Sequence, residues 1–223
     1  MSQIVSSTNV AVPRTDPGGA DRISGIDKQP APFIEVSAPG PDYGDGSGVA
    51  DDTVGDDAHH GGAQKAVYAF SREELDFWEH DLHRGLPDGT FGENLTTTGI
   101  DLERLLVNQR IRVGTAELEV SVVRQPCRTF AAWLGERGWV RRFSDRGRCG
   151  TYLRVTVPGR ITPGDELTLV DAPAHDIDIL MGCMDKAMGG TGGYLCGSKD
   201  LVDFLRIAAS SSVLSSALPC SRA

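Results

Sequence analysis

Cys127 sits in the segment RQPCRTF. Pro126 fixes the backbone before it, and Arg124 and Arg128 bracket it. Cationic neighbours favour the thiolate, the form of cysteine that attacks sulfur or ligates a soft metal. Cysteine is also a common small filler of buried cores, and local chemistry leaves both readings open. Cys149, in GRCGTY, has a glycine on each side of an Arg-Cys pair. That permits close approach of backbone to a ligand, but a tight turn entering the next strand is the reading the turn residues favour. His59-His60-Gly61-Gly62 holds the only adjacent histidines. Such neighbours point differently and rarely ligate one metal, so a ligand-contacting loop and a plain turn both remain. Glu93-Asn94, in FGENLTT, offers a carboxylate and an amide to a heterocycle, or ordinary turn chemistry. GGTGGY at 189–194 lacks the GxxxxGK[ST] pattern of a phosphate loop.

The elements that must position these residues read mainly as strands. Residues 3–12 and 32–37 predict strands, with a loop over 13–30 between them. Residues 38–62 are rich in Gly, Asp and Pro, a loop long enough to be functional or mobile. Ser71 opens a capping box with Glu74, followed by a helix with Leu75, Trp78 and Leu82 on one face, ended by Gly85 and Pro87. Residues 88–100 mix turn residues with a polar strand. Residues 110–113 and 117–123 alternate as a hairpin around Gly114-Thr115-Ala116. One helical stretch is expected over 129–143, then strands over 151–157 and the closing ELTLV. Strand spacing of this kind with two inserted helices suggests a small barrel. Beyond residue 171 the pattern changes. A helix is expected over 177–188, a glycine-rich break over 189–197, a second helix capped by Ser198, and a frayed Ser-rich end.

Composition narrows the function classes. The chain has 223 residues, enough for one generous domain without disulfides or structural metal. A net charge of −9 argues against coating nucleic acid. The charge is uneven. Residues 1–60 carry ten acidic and three basic side chains, whereas 122–160 carry nine arginines against Glu136 and Asp145. Arginine suits bidentate binding of phosphate or carboxylate, so this stretch either holds an anion or forms a solvated face. Five cysteines, odd in number and without CxxC spacing, exclude a disulfide framework and a zinc ribbon. No apolar run reaches membrane-spanning length and no signal peptide is evident, so a cytoplasmic chain with no membrane partner is expected.

The segments DDAHHGGAQKAVYAF, FGENLTTTGID, VVRQPCRTF, RFSDRGRCGTYLRV and PGDELTLV, in this order, resemble the stand-alone bacterial branch of the MOSC family, named for the C-terminal domain of molybdenum cofactor sulfurase. The resemblance runs over about residues 3–171. It implies a mainly β fold with peripheral helices (α+β), a MOSC-type β-barrel over 1–171 with a helical C-terminal appendage over 172–223. It implies the molybdenum cofactor (molybdopterin), with Cys127 as the metal ligand and catalytic residue. His60, Lys65, Asn94, Arg128 and Arg148 fall in matching blocks and are candidates for the cofactor pocket.

The function expected on this resemblance is an oxidoreductase that reduces N-hydroxylated compounds such as hydroxylamino-purines or hydroxylamines. No flavin, haem or iron–sulfur motif is visible, so the electrons would come from a separate reductase. A cofactor carrier or sulfur-transfer module with a Cys127 persulfide is the first alternative, and a non-catalytic binding module the second. A homodimer is one way to cover the apolar face expected in the tail.

Overall fold

The computed structural model describes residues 2–170 and the backbone of 179–183 and 193–197. The chain divides into two units, Met1–Pro173 and Ala174–Ala223. The first unit opens with β1 (Ile4–Ala11), β2 (Arg14–Thr15), β3 (Ile23–Ser24), β4 (Lys28–Ala31) and β5 (Ile34–Val36). After the long loop come β6 (Val67–Ser71), α1 (Arg72–Leu82) and β7 (Leu95–Thr98). The hairpin β8 (Arg110–Val113) and β9 (Ala116–Val123) leads into α2 (Arg128–Leu134) and α3 (Trp139–Arg146). The unit closes with β10 (Thr151–Val157), β11 (Gly159–Ile161) and β12 (Leu167–Leu169).

One sheet of eight strands runs β12-β8-β9-β10-β6-β7-β1-β4. Its neighbours are antiparallel except β6 and β7, which are parallel because α1 carries the chain across between them. The expected barrel is not a continuous ladder. β1, next to the edge strand β4, meets the segment entering β12 at one bridge, Ile4 to Glu166, flanked by hydrogen bonds from Val5 N to Asp165 O (2.9 Å) and from Leu167 N to Gln3 O (2.8 Å).

Two cores follow from strand alternation, since successive side chains point to opposite faces. Val67 and Ala69 of β6, Leu153 and Val155 of β10, and Leu118 and Val120 of β9 face an aliphatic interior. Tyr68 and Phe70 leave β6 on the other side and join Trp78, Phe91, Phe130, Trp139 and Phe143 beneath the helices. The rings there meet edge to face, with Trp78 and Trp139 centroids 4.6 Å apart and Phe91 and Phe130 5.1 Å apart, the geometry aromatic quadrupoles prefer. β6 is thus buried on both faces and joins the two cores.

Several local expectations are corrected. The stretch 129–143 is two helices, because Gly135 ends α2 and Gly138 precedes α3, both with left-handed backbone. The capping box at Ser71 is half formed. Ser71 Oγ accepts from Glu74 N at 3.3 Å, but the Glu74 carboxylate turns to Arg146 and Arg148 instead of the cap. α1 ends at His83, which takes the left-handed conformation (φ 52°) two residues before Gly85. The expected loop over 13–30 contains β2, β3 and the start of β4. In the second unit, Ile179–Cys183 (β13) pairs antiparallel with Gly193–Gly197 (β14), so strands stand at these positions in place of the expected helix and break, and the rest of 177–197 lies outside the described residues. A short apolar run such as ILM does not distinguish helix from strand by period. The helix and frayed end expected after Ser198 lie outside the described residues.

Candidate functional site

β9 leaves the sheet at Val123, and residues 124–126 carry the chain to α2, where Cys127 is the N-cap residue with extended backbone (φ −128°, ψ 174°). Its side chain is half-buried. It borders two cavities that share lining residues, an inner one of about 240 Å³ and an outer chamber of about 430 Å³. Asp56, His60, Lys65, Cys127 and Tyr152 border both. Together the chambers fall in the range of small-ligand sites, roughly 300–1,000 Å³.

Residues of β3, β4, β6, β10 and α2 and of the loops between strands line the inner cavity. Asn94, at the entry to β7, has its amide committed to the scaffold. It donates to Asp52 Oδ2 (2.9 Å) and Asn9 O (3.3 Å) and accepts from Tyr68 N (3.1 Å). Lys28 of β4 and Asp52 form a buried ion pair beside it, Nζ to Oδ2 2.6 Å. Burial alone would raise the Asp52 pKa, but Lys28 and the donated hydrogen bonds outweigh it and hold the carboxyl below its ordinary value. At the rim, Arg22 ties Asp16 (2.7 Å) to Asp56 (2.8 Å).

His60 faces Tyr152, with Nδ1 and the hydroxyl 3.5 Å apart. Burial, then the charges of Lys65 and Arg124, push the His60 pKa down to about 4, so the imidazole is neutral near pH 7 and presents one donor and one acceptor. Tyr152 is pushed up by burial and keeps its proton. It opposes Tyr68 across β10 and β6, ring centroids 5.1 Å apart. Lys65 Nζ donates to His59 O (2.6 Å) and lies 4.7 Å from the Tyr43 ring centroid and 5.7 Å from that of Tyr152. Burial lowers its pKa, opposed by Asp56 and Cys127.

Five of the six candidates from the sequence, Cys127, His60, Lys65, Asn94 and Arg128, come together around the inner cavity. Among the described residues neither Arg128 nor Lys65 is in a direct ion pair, and both border the inner cavity, Lys65 within the field of Asp56. Arg148 is not brought there. It pairs with Glu74 (2.6 Å), Asp101 (2.9 Å) and Glu103 (3.4 Å). Much of the arginine-rich stretch is spent likewise. Arg142 meets Asp81, Arg146 meets Glu74, Arg154 meets Glu119 and Arg160 meets Glu35. His59 is exposed, 3.2 Å from Asp56. The glycines after the histidine pair serve loop packing: a Cβ on Gly62 would lie 2.0 Å from Asp42 O. Glu93 turns away from the cavity, accepting from Gly89 N (2.6 Å), Phe91 N (3.0 Å) and Thr96 Oγ1 (3.0 Å), and burial pushes its pKa up to about 7. Cys149 packs in the aromatic core, where burial pushes its thiol up to about 11, in keeping with the filler reading.

Arg124, Lys28, Asp52, Arg22 and Tyr152 line the cavity without having been singled out for it. Arg124 is buried, donates to Phe91 O and lies over the rings of Tyr68 (4.7 Å) and Phe130 (4.1 Å). Its place beside Cys127 in sequence was the available signal. Lys28 and Asp52, distant in sequence and set in polar stretches, gave none.

Among the described residues no three His, Cys, Asp or Glu side chains converge on one point. No helix among those residues is long and apolar enough to cross a membrane.

The MOSC domain family model matches residues 56–168. YflK of Bacillus subtilis is 34% identical over 176 residues, 78% of this chain and 76% of that protein. A protein of Gibberella moniliformis named Reductase is 30% identical over 138 residues, 60% of this chain, which spans only 24% of that protein's length. The crystal structure of YiiM from Geobacillus stearothermophilus superposes with a TM-score of 0.59 at 29% identity, covering 76% of this chain and 75% of that one. A short stretch of 44 residues is 48% identical to human serine palmitoyltransferase 3, 20% of this chain and 8% of that protein. The family match over half the chain, with the likeness to YflK over most of both proteins, shows that this chain belongs to the MOSC domain family.

Proposed function

We propose that the inner cavity binds the molybdenum cofactor and that the chain uses it to reduce N-hydroxylated compounds to amines. The observation that carries the reading is the placement of Cys127 at the seam of two chambers that Lys65 and Arg128 also border or adjoin, neither of them in a direct ion pair among the described residues. A soft thiolate suits molybdenum, and free cations suit the phosphate of an anionic pterin. When bound, the cofactor supplies two-electron chemistry at an N–O bond. The balance is R–NHOH plus two electrons and two protons to R–NH₂ and water, with the electrons from a separate reductase. The relative named Reductase supports this class.

The chain's own residues orient, exclude water and hold protons. Cys127 anchors the metal. Arg128 and Lys65 bind the anionic end of the cofactor, and Asn94 with the Lys28–Asp52 pair shapes the floor. His60 holds a proton on one ring nitrogen and Tyr152 on its hydroxyl, and both border the chamber left for substrate. The test is anaerobic turnover of N-phenylhydroxylamine with reduced methyl viologen as donor. Aniline is expected. No amine from protein that carries molybdenum and pterin would overturn the reading.

A further inference from the structure

The loop between β2 and β3 lies across the first turn of α2, next to Cys127. A Cβ on Gly18 would lie 3.2 Å from both the N and the Cα of Thr129, so the two backbones touch there. Asp16 stands at the start of this loop with only 3% of its surface exposed. Its Oδ1 accepts from Gly18 N (2.7 Å) and Thr129 Oγ1 (3.0 Å). Its Oδ2 accepts from Arg22 Nε (2.7 Å) and lies 3.1 Å from Thr129 Oγ1. Burial would raise the Asp16 pKa, but these hydrogen bonds, that of Arg22 first, hold the carboxyl below its ordinary value.

The first turn of α2 needs such a tie. The helix has seven residues, too few to persist on local propensity. Cys127 makes no side-chain bond to the helix amides, so the thiol does not fix its own turn. Phe130 and Leu134 fasten the helix to the aromatic core. Thr129, two residues from Cys127, is tied instead to Asp16, and all three border the inner cavity.

We propose that Asp16 is a positioning residue for Cys127, acting through the Thr129 hydroxyl. The inference rests on the reading of Cys127 as the reaction centre, and its test separates the two. Asp16→Asn replaces one acceptor oxygen with a donor that opposes the donors around it. Thr129→Val keeps the shape of the side chain and removes the hydroxyl.

The first readout is labelling of Cys127 by N-ethylmaleimide in the full chain purified without cofactor, followed by peptide mass spectrometry, with the buried Cys149 as the control for folding. Both variants should speed Cys127 labelling about ten-fold, because the released turn opens the half-buried thiol, while Cys149 stays protected. Thr129→Ser, which keeps the hydroxyl, should stay within about two-fold of wild type. In the holoenzyme, Thr129→Val should lower kcat per bound pterin about ten-fold and leave KM for N-phenylhydroxylamine unchanged. Should Asp16→Asn fail to fold, Thr129→Val carries the test, since it leaves Asp16 its bonds to Gly18 and Arg22. Wild-type labelling of Cys127 in Thr129→Val, or labelling of Cys149 that rises in step with that of Cys127, would overturn the proposal. If the labelling pattern holds but wild-type holoenzyme reduces nothing, Asp16 still positions the thiol and the reductase reading falls. If wild type turns over and Thr129→Val matches it in labelling and in kcat, the positioning role falls and the reductase reading stands.

Discussion

The Lys28 ammonium and the Asp52 carboxylate lie 2.6 Å apart at the floor of the inner cavity, with side chains only 7% and 3% exposed. Asp52 also accepts from Ala11 N (2.9 Å), Asn94 Nδ2 (2.9 Å) and Ser47 Oγ (3.1 Å), so one carboxylate ties β1, β4 and the long loop to the entry of β7. Removing one partner of such a pair leaves a buried charge uncompensated, at a cost of about 3–5 kcal/mol. Lys28→Met should therefore lower stability to chemical denaturation by that order. The double variant Lys28→Met, Asp52→Leu should fall short of the sum of the singles, because each charge is costly mainly when alone. Additive losses would show that the pair is not coupled.

Two arginines of the arginine-rich stretch, Arg128 and Arg148, should separate. Arg148 is held by Glu74, Asp101 and Glu103 away from the cavity, whereas Arg128 borders it. Arg148→Ala should cost on the order of 1 kcal/mol of stability, as partly exposed ion pairs do, and leave pterin content unchanged. Arg128→Ala should leave stability unchanged and lower pterin content several-fold. Pterin fluorescence of the two purified variants measures the difference, and the reverse pattern would move the phosphate site to Arg148.

His60 should give the fold a pH dependence of known sign. Its folded pKa, near 4, lies below its ordinary value of 6.5, so between those values the unfolded chain binds more protons. Stability contributed by the neutral ring is present above pH 6.5 and is lost as pH falls through 4. Glu93 has the opposite sign: raised from 4.5 to about 7, its contribution is present below pH 4.5 and is lost as pH rises through 7. The two slopes overlap, so the stability difference between wild type and His60→Gln isolates His60. That difference should grow in favour of wild type from pH 4 to 6.5. A constant difference would mean that the ring titrates normally.

How much of this was legible before the structure depends on whether the signal was local. The hairpin β8–β9 was visible because Ile111, Val113, Leu118 and Val120 alternate with charged residues that pair across the strands, such as Arg110 with Glu119. α1 was visible from Ser71, Leu75 and Trp78, though the reach of Glu74 to Arg146, far along the chain, was not. Strand β4, with the sequence KQPA, has no apolar alternation, and its Lys28 finds Asp52 only through tertiary folding. The nine arginines leave an anion site and a solvated face both open in the sequence, because their carboxylate partners, among them Glu74, Asp81 and Glu119, come from elsewhere in the chain. The cluster of Cys127, His60, Lys65, Asn94 and Arg128 was legible through family resemblance. The residues alone left Cys127 between ligand and filler.

The most direct measurement is elemental analysis with pterin fluorescence on wild type and Cys127→Ser, both purified from a host that makes the cofactor. Serine keeps the shape but replaces a soft thiolate with a hard, poorly ionised hydroxyl. Wild type should contain molybdenum and pterin near equimolar with chain. Cys127→Ser should lose reduction of an N-hydroxylated substrate while retaining pterin, because Arg128 and Lys65 do not depend on the metal bond. Wild-type protein from that host with neither molybdenum nor pterin, or full turnover by Cys127→Ser, would contradict the assignment.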